Sequence, residues 1–196
     1  MMKMSAIDPI ADLDRQPPPP DLLRRAIAGV IKHAQDGELP LFAWTLGLPQ
    51  EKLWGLLAQC FPKLGRLDFL PEWGYAIFLR AVPPIFHDLT ALLLAHRDRN
   101  LDTNHADGLA RAIAAASLGE RHLWQDLGLN GRDDVAALLE CYFPTLFARN
   151  TADLKWKRFL FAELGAAQGR PDLLPPGCGK CDQFPICFTV SKTSEY

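Results

Sequence analysis

The sequence has no excess of charge of either sign and no long apolar run. Its 196 residues include 21 Lys and Arg against 23 Asp and Glu, a formal net charge of −2. Nucleic-acid binding needs a basic excess or patch, so we expect no nucleic-acid partner. No segment approaches the roughly 20 apolar residues of a membrane span, and residues 1–16 lack the apolar core of a signal peptide. These absences predict a cytoplasmic protein with no membrane partner.

Familiar catalytic patterns are also missing. The sequence contains no Gly-rich phosphate loop, no nucleophile elbow and no zinc-protease motif. It also has no convincing stretch in which apolar and polar residues alternate, as a half-buried strand requires. The sequence therefore favours a protein that is not an enzyme and that contains no sheet.

Apolar residues at helical spacing predict an all-α fold. The 48% of apolar residues are enough to bury a core in a chain of this length. The first helical pattern runs from Asp21, a predicted cap, to Gly37, directly after the polyproline run 17–20. Further helices are predicted at 50–60, 87–96, 107–118, 133–142 and 151–167.

The composition divides the chain into three parts. We expect a disordered Pro-rich leader at 1–20, a compact helical domain at 21–170 and an irregular metal-binding segment at 171–196. The last part contains most of the cysteines and is rich in Pro and Gly. It is therefore predicted to be a cysteine-containing C-terminal tail on a helical body.

A weak internal repeat predicts two related helical halves. The repeated groups are Leu46-Gly-Leu, Leu56-Leu57 and Phe61-Pro62 in the first copy, and Leu127-Gly-Leu, Leu138-Leu139 and Phe143-Pro144 in the second. Before each copy stands Arg-Ala-Ile-Ala, beginning at Arg25 and at Arg111. The alternative is that such short groups recur by chance in a helical protein.

Three of the five cysteines, Cys178, Cys181 and Cys187, lie in one short stretch rich in Pro and Gly. In a reducing compartment such spacing indicates metal or redox chemistry before disulfides. The two-residue gap lets adjacent thiolates converge, and the glycines allow the tight turns that convergence needs. Free thiols in a tail are the less favoured alternative.

The choice of metal remains open at this point. A closed structural zinc site needs four ligands, so Cys141 or a histidine would have to supply the fourth. An iron–sulfur cluster can use three thiolates and leave one corner open. Cys60 and Cys141 each precede a Phe-Pro at the end of a helical pattern, which favours a core position for both.

His122 stands apart from the other histidines. It begins His122-Leu-Trp-Gln-Asp126, which groups an imidazole, an amide and a carboxylate within one helical turn. Such a group is able to orient a ligating or proton-handling histidine. The remaining histidines are predicted to be surface or capping residues.

Basic residues cluster around Trp156, upstream of the cysteines. They are predicted to attract an oxyanion or to balance the charge of a thiolate-bound cluster. Because Trp156, Phe159 and Leu160 take the buried spacing, the basic side chains are expected to project outward, and a solvated helix face explains them equally well. The four residues are Arg149, Lys155, Lys157 and Arg158.

Taken together, these ordered motifs resemble the NifQ family. The resemblance is specific over 118–188 and looser upstream, through Leu92-Leu-Leu-Ala-His-Arg97. Its motifs are His122-Leu-Trp-Gln-Asp-Leu-Gly-Leu129, Phe143-Pro-Thr-Leu-Phe-Ala-Arg-Asn150, Lys155-Trp-Lys-Arg-Phe159 and Cys178-x2-Cys181-x5-Cys187-Phe188.

The resemblance implies a carrier of a molybdenum–iron–sulfur cluster. Such a protein passes molybdenum to assembly of the nitrogenase iron–molybdenum cofactor, in concert with the nitrogenase iron protein and the cofactor-assembly scaffold. It is a carrier and not a turnover enzyme. The alternative is a structural zinc-binding helical interaction protein, which would hold zinc and no cluster.

The chain departs from the family at one ligand. The family pattern is Cys-x4-Cys-x2-Cys-x5-Cys, and Leu173 stands where the first cysteine belongs. Three explanations remain: the cluster uses three thiolates, Cys141 or His122 substitutes, or this member has lost the function. A cluster held by three thiolates leaves one corner open for molybdenum.

Overall fold

All regular elements in the described part of the protein are helices. The structure is a computed structural model that describes residues 20–64, 68–181 and 184–187. It shows no strand in these residues, so the predicted all-α class is confirmed. The α-helices are α1 (Asp21–Gln35), α2 (Gln50–Cys60), α3 (Glu72–Arg80), α4 (Pro84–Ala95), α5 (Thr103–Ser117), α6 (Leu123–Asp126), α7 (Arg132–Tyr142), α8 (Pro144–Phe147), α9 (Trp156–Gln168) and α10 (Phe184–Cys187).

Two short 3₁₀ helices, Leu41–Thr45 and Cys178–Lys180, complete the elements. The predicted leader at 1–20 lies outside the described residues except for Pro20, which precedes α1 in an extended conformation. Asp21 is the first residue of α1 and not its cap, and its carboxylate accepts a hydrogen bond from Arg24 at 2.9 Å. The described residues of the C-terminal segment are irregular apart from two single-turn helices, as predicted.

The centre of the body is α5, which packs against both α1 and α4. Ten of its fifteen residues are buried, and most of these are alanines. Alanine favours the helix and its small side chain lets neighbouring helices approach closely. At Gly108 the approach of α2 is close, because a Cβ there would lie 2.8 Å from the side chain of Leu56.

The two halves predicted from the repeat have matching elements. Each contains a 15-residue helix and an 11-residue helix, α1 with α2 and α5 with α7. A short helical turn and a Leu-Gly-Leu separate the two helices in each half, and Gly47 and Gly128 both take a left-handed conformation there. The long helix of each half contacts the turn region of the other half. Arg25 donates to Asn130 at 2.9 Å, and Arg111 donates to the carbonyl of Gly47 at 3.2 Å.

Helix α9 begins later than its apolar pattern predicts. The sequence places its start at 151, but the chain turns first. Asp153 adopts φ +50°, and the side-chain amide of Asn150 both donates to and accepts from the backbone of Leu154. This side-chain-closed turn competes with helix, so α9 starts at Trp156.

Two other helices begin earlier than predicted, and one helix was missed besides the four-residue helices α6, α8 and α10. Pro84 occupies the first turn of α4, where its missing N–H costs nothing, and Asp102 caps α5 by accepting from the backbone of His105 at 2.9 Å. The missed helix is α3, of which only Tyr75 is buried. An exposed helix leaves no buried stripe in the sequence for periodicity to detect.

Within the described residues, no single helix has both the length and the apolar character needed to cross a membrane. Only α3 and α4 taken together meet those two criteria, and they are bent by 80° relative to each other.

Candidate metal centre

The three clustered cysteines and His122 line one cavity of about 610 Å³. It lies where α6, the beginnings of α7 and α9, and the C-terminal segment meet. Its lining includes residues of the α5–α6 connection and residues of the cysteine turn. The lining residues are Glu120, Arg121, His122, Leu123, Trp124, Gln125, Arg132, Val135, Lys155, Trp156, Lys157, Arg158, Pro176, Gly177, Cys178, Lys180, Cys181 and Cys187.

A close backbone contact holds the cysteine turn against the body. Gly177 has φ +78°, and a Cβ at this position would lie 2.8 Å from the carbonyl oxygen of Glu120. Only glycine satisfies both the left-handed conformation and this approach. The contact places Cys178, the next residue, beside the connection that leads into His122.

The thiols influence one another and the basic residues across the cavity. Burial raises the pKa of the Cys178 thiol, and the Lys157 ammonium opposes that shift. Cys181 and Cys187 raise the pKa of Cys178 further, because a second negative charge nearby disfavours the thiolate, and Arg158 lowers it. Thiolates in this cavity therefore form more readily when positive charges lie close to them.

The donor atoms surround the cavity and do not converge on one ion. Among the residues that the structure describes, no three His, Cys, Asp or Glu side chains are arranged to hold a single metal ion. A tetrahedral zinc site brings four donors within about 2.3 Å of one centre. Thiolates and an imidazole around a larger space are instead suited to a guest with several metal atoms, such as an iron–sulfur cluster.

Lys157 is buried, which contradicts the expectation that the basic residues of this segment all project outward. The residue is 8% exposed, and its ammonium donates to the carbonyls of Gly119 and Arg121 and to the Asp126 carboxylate at 3.2 Å. The physical reason is that the α5–α6 connection offers two carbonyl acceptors to the first turn of α9, and α6 offers the Asp126 carboxylate. Burial lowers the pKa of Lys157, and Asp126 opposes that shift.

The sequence predicts that Gln125 and Asp126 orient His122, and in the structure they do so by holding the backbone of its turn. Asp126 is 0% exposed, and its carboxylate accepts from Lys157 and from Arg121 at 2.9 Å. The Gln125 side chain accepts from the backbone N–H of His122 at 3.1 Å. These two side chains therefore hold the turn that carries His122, and the carboxylate serves the buried cations.

Three residues considered at the sequence level lie outside the cavity lining. Cys141 is exposed on α7, so its predicted core position is wrong, because Leu138, Leu139 and Tyr142 occupy the buried face. Arg149 pairs with Glu163 at 2.7 Å. Cys60, in contrast, is fully buried, as predicted.

Leu173, which replaces the family's first cysteine, packs against α9. A Cβ at Gly165 would lie 3.3 Å from the Cβ of Leu173, and Leu173 contacts the hydrophobic core. It is not among the residues that line the cavity. At this position an apolar side chain anchors the C-terminal segment to the body.

The structure adds basic residues that the sequence did not single out, namely Arg121, Arg132 and Lys180. Arg132 donates to Asp153 and to the Leu154 carbonyl, and its guanidinium lies 5.8 Å from the centre of the Trp156 ring. The only sequence signal for these residues was their charge. With Lys155, Lys157 and Arg158 they form a lining of six cations, against the one carboxylate of Glu120.

Comparison with known proteins identifies relatives of this chain. The family model described as NifQ matches residues 26–189. The chain is 36% identical over 100 residues to the Protein NifQ homolog of Sinorhizobium fredii, covering 51% of this chain and 43% of the relative. It is 39% identical over 80 residues to Protein NifQ of Azotobacter vinelandii, covering 41% of each chain. Protein NifQ of Klebsiella pneumoniae is 36% identical over 84 residues, 42% of this chain and 50% of the relative.

The matched stretch spans half or less of the length of these curated relatives. No solved structure matches the chain significantly. The family model nevertheless covers most of the sequence, from α1 through the cysteine turn. The chain therefore belongs to the NifQ family.

Proposed function

We propose that the protein carries a molybdenum–iron–sulfur cluster and donates molybdenum to assembly of the nitrogenase iron–molybdenum cofactor in nitrogen fixation. Membership of the NifQ family supports a role in molybdenum handling. The observation that carries the proposal is the single cavity in which Cys178, Cys181 and Cys187 face a basic lining.

The donor chemistry suits this cargo. Thiolates are soft ligands that select iron–sulfur clusters over hard oxygen-seeking ions. The three cysteines are able to hold three corners of a cuboidal cluster. The fourth corner is then left for a metal that must later depart, which a carrier requires and a structural site does not.

The charge of the lining suits an anionic guest. A cluster bound by thiolates carries negative charge, and its cost in a partly buried site falls when cations surround it. Lys155, Lys157 and Arg158 stand at the N-terminal end of α9, where the helix dipole also favours negative charge. The same end of the helix disfavours these cations, and an anion bound beside them would offset that cost.

We propose that the protein acts as a carrier and not as a turnover enzyme. The thiols, the imidazole and the cations that line the cavity suit a negatively charged metal group that is held and later released. We propose that cargo is received and delivered in the cytoplasm, with the nitrogenase iron protein and the cofactor-assembly scaffold as partners. No nucleic acid or membrane takes part in this proposal.

The test is metal and sulfide analysis of protein produced without oxygen in the presence of molybdate. We expect iron, sulfide and molybdenum in the parent and their loss in the C178S/C181S/C187S variant. The matched control is C60A/C141S, which removes the two cysteines outside the cavity and should keep all three elements. Stoichiometric zinc without sulfide would replace the proposal with a structural zinc site, and a metal-free parent would refute it.

A further inference from the structure

We infer that His122 is the fourth protein ligand of the bound cluster, beside Cys178, Cys181 and Cys187. The inference rests on the proposed function and names the group that completes its donor set. The imidazole would bind the metal at the corner that no thiolate holds. Imidazole is a normal ligand for iron and accompanies thiolates in known cluster types.

Position in the fold separates His122 from the other candidates. His122 lines the same cavity as Cys178, Cys181 and Cys187. Cys141 is exposed on α7 outside the lining, and Leu173 packs against α9. Of the residues considered for the missing ligand, His122 alone reaches the space that the three thiols share.

The backbone around His122 is built to hold it there. Gln125 accepts from its backbone N–H at 3.1 Å, and Lys157 donates to the carbonyls of Gly119 and Arg121 just before it. Gly177 then brings the cysteine turn into contact with Glu120. The contact between Glu120 and Gly177 therefore positions both His122, which follows Glu120 by two residues, and Cys178, which follows Gly177.

An imidazole at this corner also has a functional consequence. Neutral imidazole binds metal less strongly than thiolate and dissociates when it is protonated, since only the neutral form donates a lone pair. A corner held by histidine is consequently easier to vacate than one held by cysteine. This is the corner from which a carrier would release its metal.

The experiment is pulsed electron paramagnetic resonance on the full chain loaded anaerobically with iron, sulfide and molybdate and then poised in a paramagnetic state. We expect a nitrogen hyperfine coupling that changes to the ¹⁵N pattern when only histidine is ¹⁵N-labelled. It should disappear in H122A and persist in H87A, which removes an exposed histidine of α4 outside the lining. If H122A loads no cluster, added imidazole should restore both the cluster and the coupling.

The outcomes separate this inference from the proposed function. A parent that binds the cluster without a histidine coupling, or an H122A variant that retains the coupling, overturns the ligand and leaves the carrier intact. Failure of imidazole to rescue an empty H122A protein also overturns it. A parent that binds no cluster refutes both proposals.

A substitution at Gly177 tests the backbone contact with Glu120 separately from the histidine ligand. Gly177→Ala should separate the cysteine turn from the Glu120 connection while every donor remains, and we expect at least tenfold faster loss of iron to a chelator. Gly179→Ala is the matched control, because a Cβ there meets nothing within 4 Å. Equal rates for the two variants would contradict the role given to the backbone contact.

Discussion

Lys157 connects the cavity that the clustered cysteines line to the interior of the body. Its ammonium and the Arg121 guanidinium share the carboxylate of Asp126, which no solvent reaches. A buried charge is tolerated only when it is paired and hydrogen-bonded, and here each partner satisfies the other. The cluster of charges therefore stabilises the α5–α6 connection as well as lining the cavity.

Removal of the Lys157 charge tests that dual role. Lys157→Met keeps the length of the side chain but leaves Asp126 with Arg121 alone, and we expect a loss of about 3 kcal/mol in the free energy of unfolding. The control is Arg149→Met, since Arg149 is 56% exposed and its pair with Glu163 should contribute about 0–1 kcal/mol. Urea unfolding of the two apo variants measures both values. Equal losses in the two variants would mean that the buried Lys157–Asp126 pair stabilises the fold no more than the exposed Arg149–Glu163 pair does.

Cys60 makes the fold sensitive to alkaline pH. Burial raises the pKa of its thiol from 9.0 to about 11, while Arg24 opposes the shift. In the unfolded chain the thiol loses its proton near pH 9.0, whereas the folded protein retains it up to about pH 11. The unfolded state binds fewer protons in this window, so stability is full below pH 9.0 and falls as the pH rises.

We expect Cys60→Ala to flatten this dependence. In the parent, the contribution of Cys60 lost between pH 9.0 and about 11 is on the order of 2–3 kcal/mol. The measurement is urea unfolding under reducing conditions at pH 8.5 and pH 10.5, with the difference between the two pH values compared across variants. Burial also raises the pKa of Tyr142 to about 12, so part of the slope should remain. An unchanged difference in Cys60→Ala would assign the whole slope to other groups.

At the scale of elements, contact between α1 and the turn after α6 depends on two glycines. A Cβ at Gly29 would lie 2.2 Å from the carbonyl oxygen of Leu127, and a Cβ at Gly128 would lie 2.9 Å from the Cα of Gly29. The two backbones therefore touch directly, with no side chain between them. This contact fits one half of the body against the other.

Gly29→Ala should force these elements apart. Because the obstructing atoms belong to the backbone, they cannot rotate away, and we expect a loss of about 3 kcal/mol in the free energy of unfolding. The matched control is Gly55→Ala on the exposed face of α2, where nothing lies within 4 Å. That change should stabilise the protein by up to ~1 kcal/mol, because alanine favours the helix. Thermal or urea unfolding distinguishes the opposite signs, and two losses of similar size would argue against the close contact.

The elements also show where sequence patterns succeed. Helix α2 has the bounds predicted from its apolar spacing, and α7 differs by one residue. Both bury one face, which is the condition under which periodicity reports a helix. Helix α3 buries little, and α9 is delayed by the turn around Asn150 and Asp153, so neither was placed correctly.

At the scale of the whole molecule, the core is independent of the cysteine turn. Within the described residues the buried side chains of the hydrophobic core run from Leu23 to Leu164, and Pro175 is the one buried residue of the described C-terminal segment. Leu173 packs against this core, but the three clustered cysteines are only partly buried. The body therefore has what it needs to fold before any metal arrives.

We accordingly expect the helical body to survive metal removal. In the apo protein the C178S/C181S/C187S changes should alter the free energy of unfolding by no more than about 1 kcal/mol, and chelation of the loaded protein should leave the helices folded. Far-ultraviolet circular dichroism during thermal unfolding measures this. A structural zinc domain would lose its fold with its metal, because metal binding and folding are coupled there. Collapse of the helical signal on chelation would therefore contradict the independence of the body.

The all-α class, most of the long helices and the short stretch with the clustered cysteines could be predicted from the amino-acid sequence alone. These features are local, because apolar periodicity and the spacing of Cys178 and Cys181 act over a few residues. Only the tertiary structure placed His122 against the cysteine turn, buried Lys157 beside Asp126 and left Cys141 outside the cavity. These relations join segments far apart in the chain, and they follow from how the helices pack and not from the pattern within any one of them.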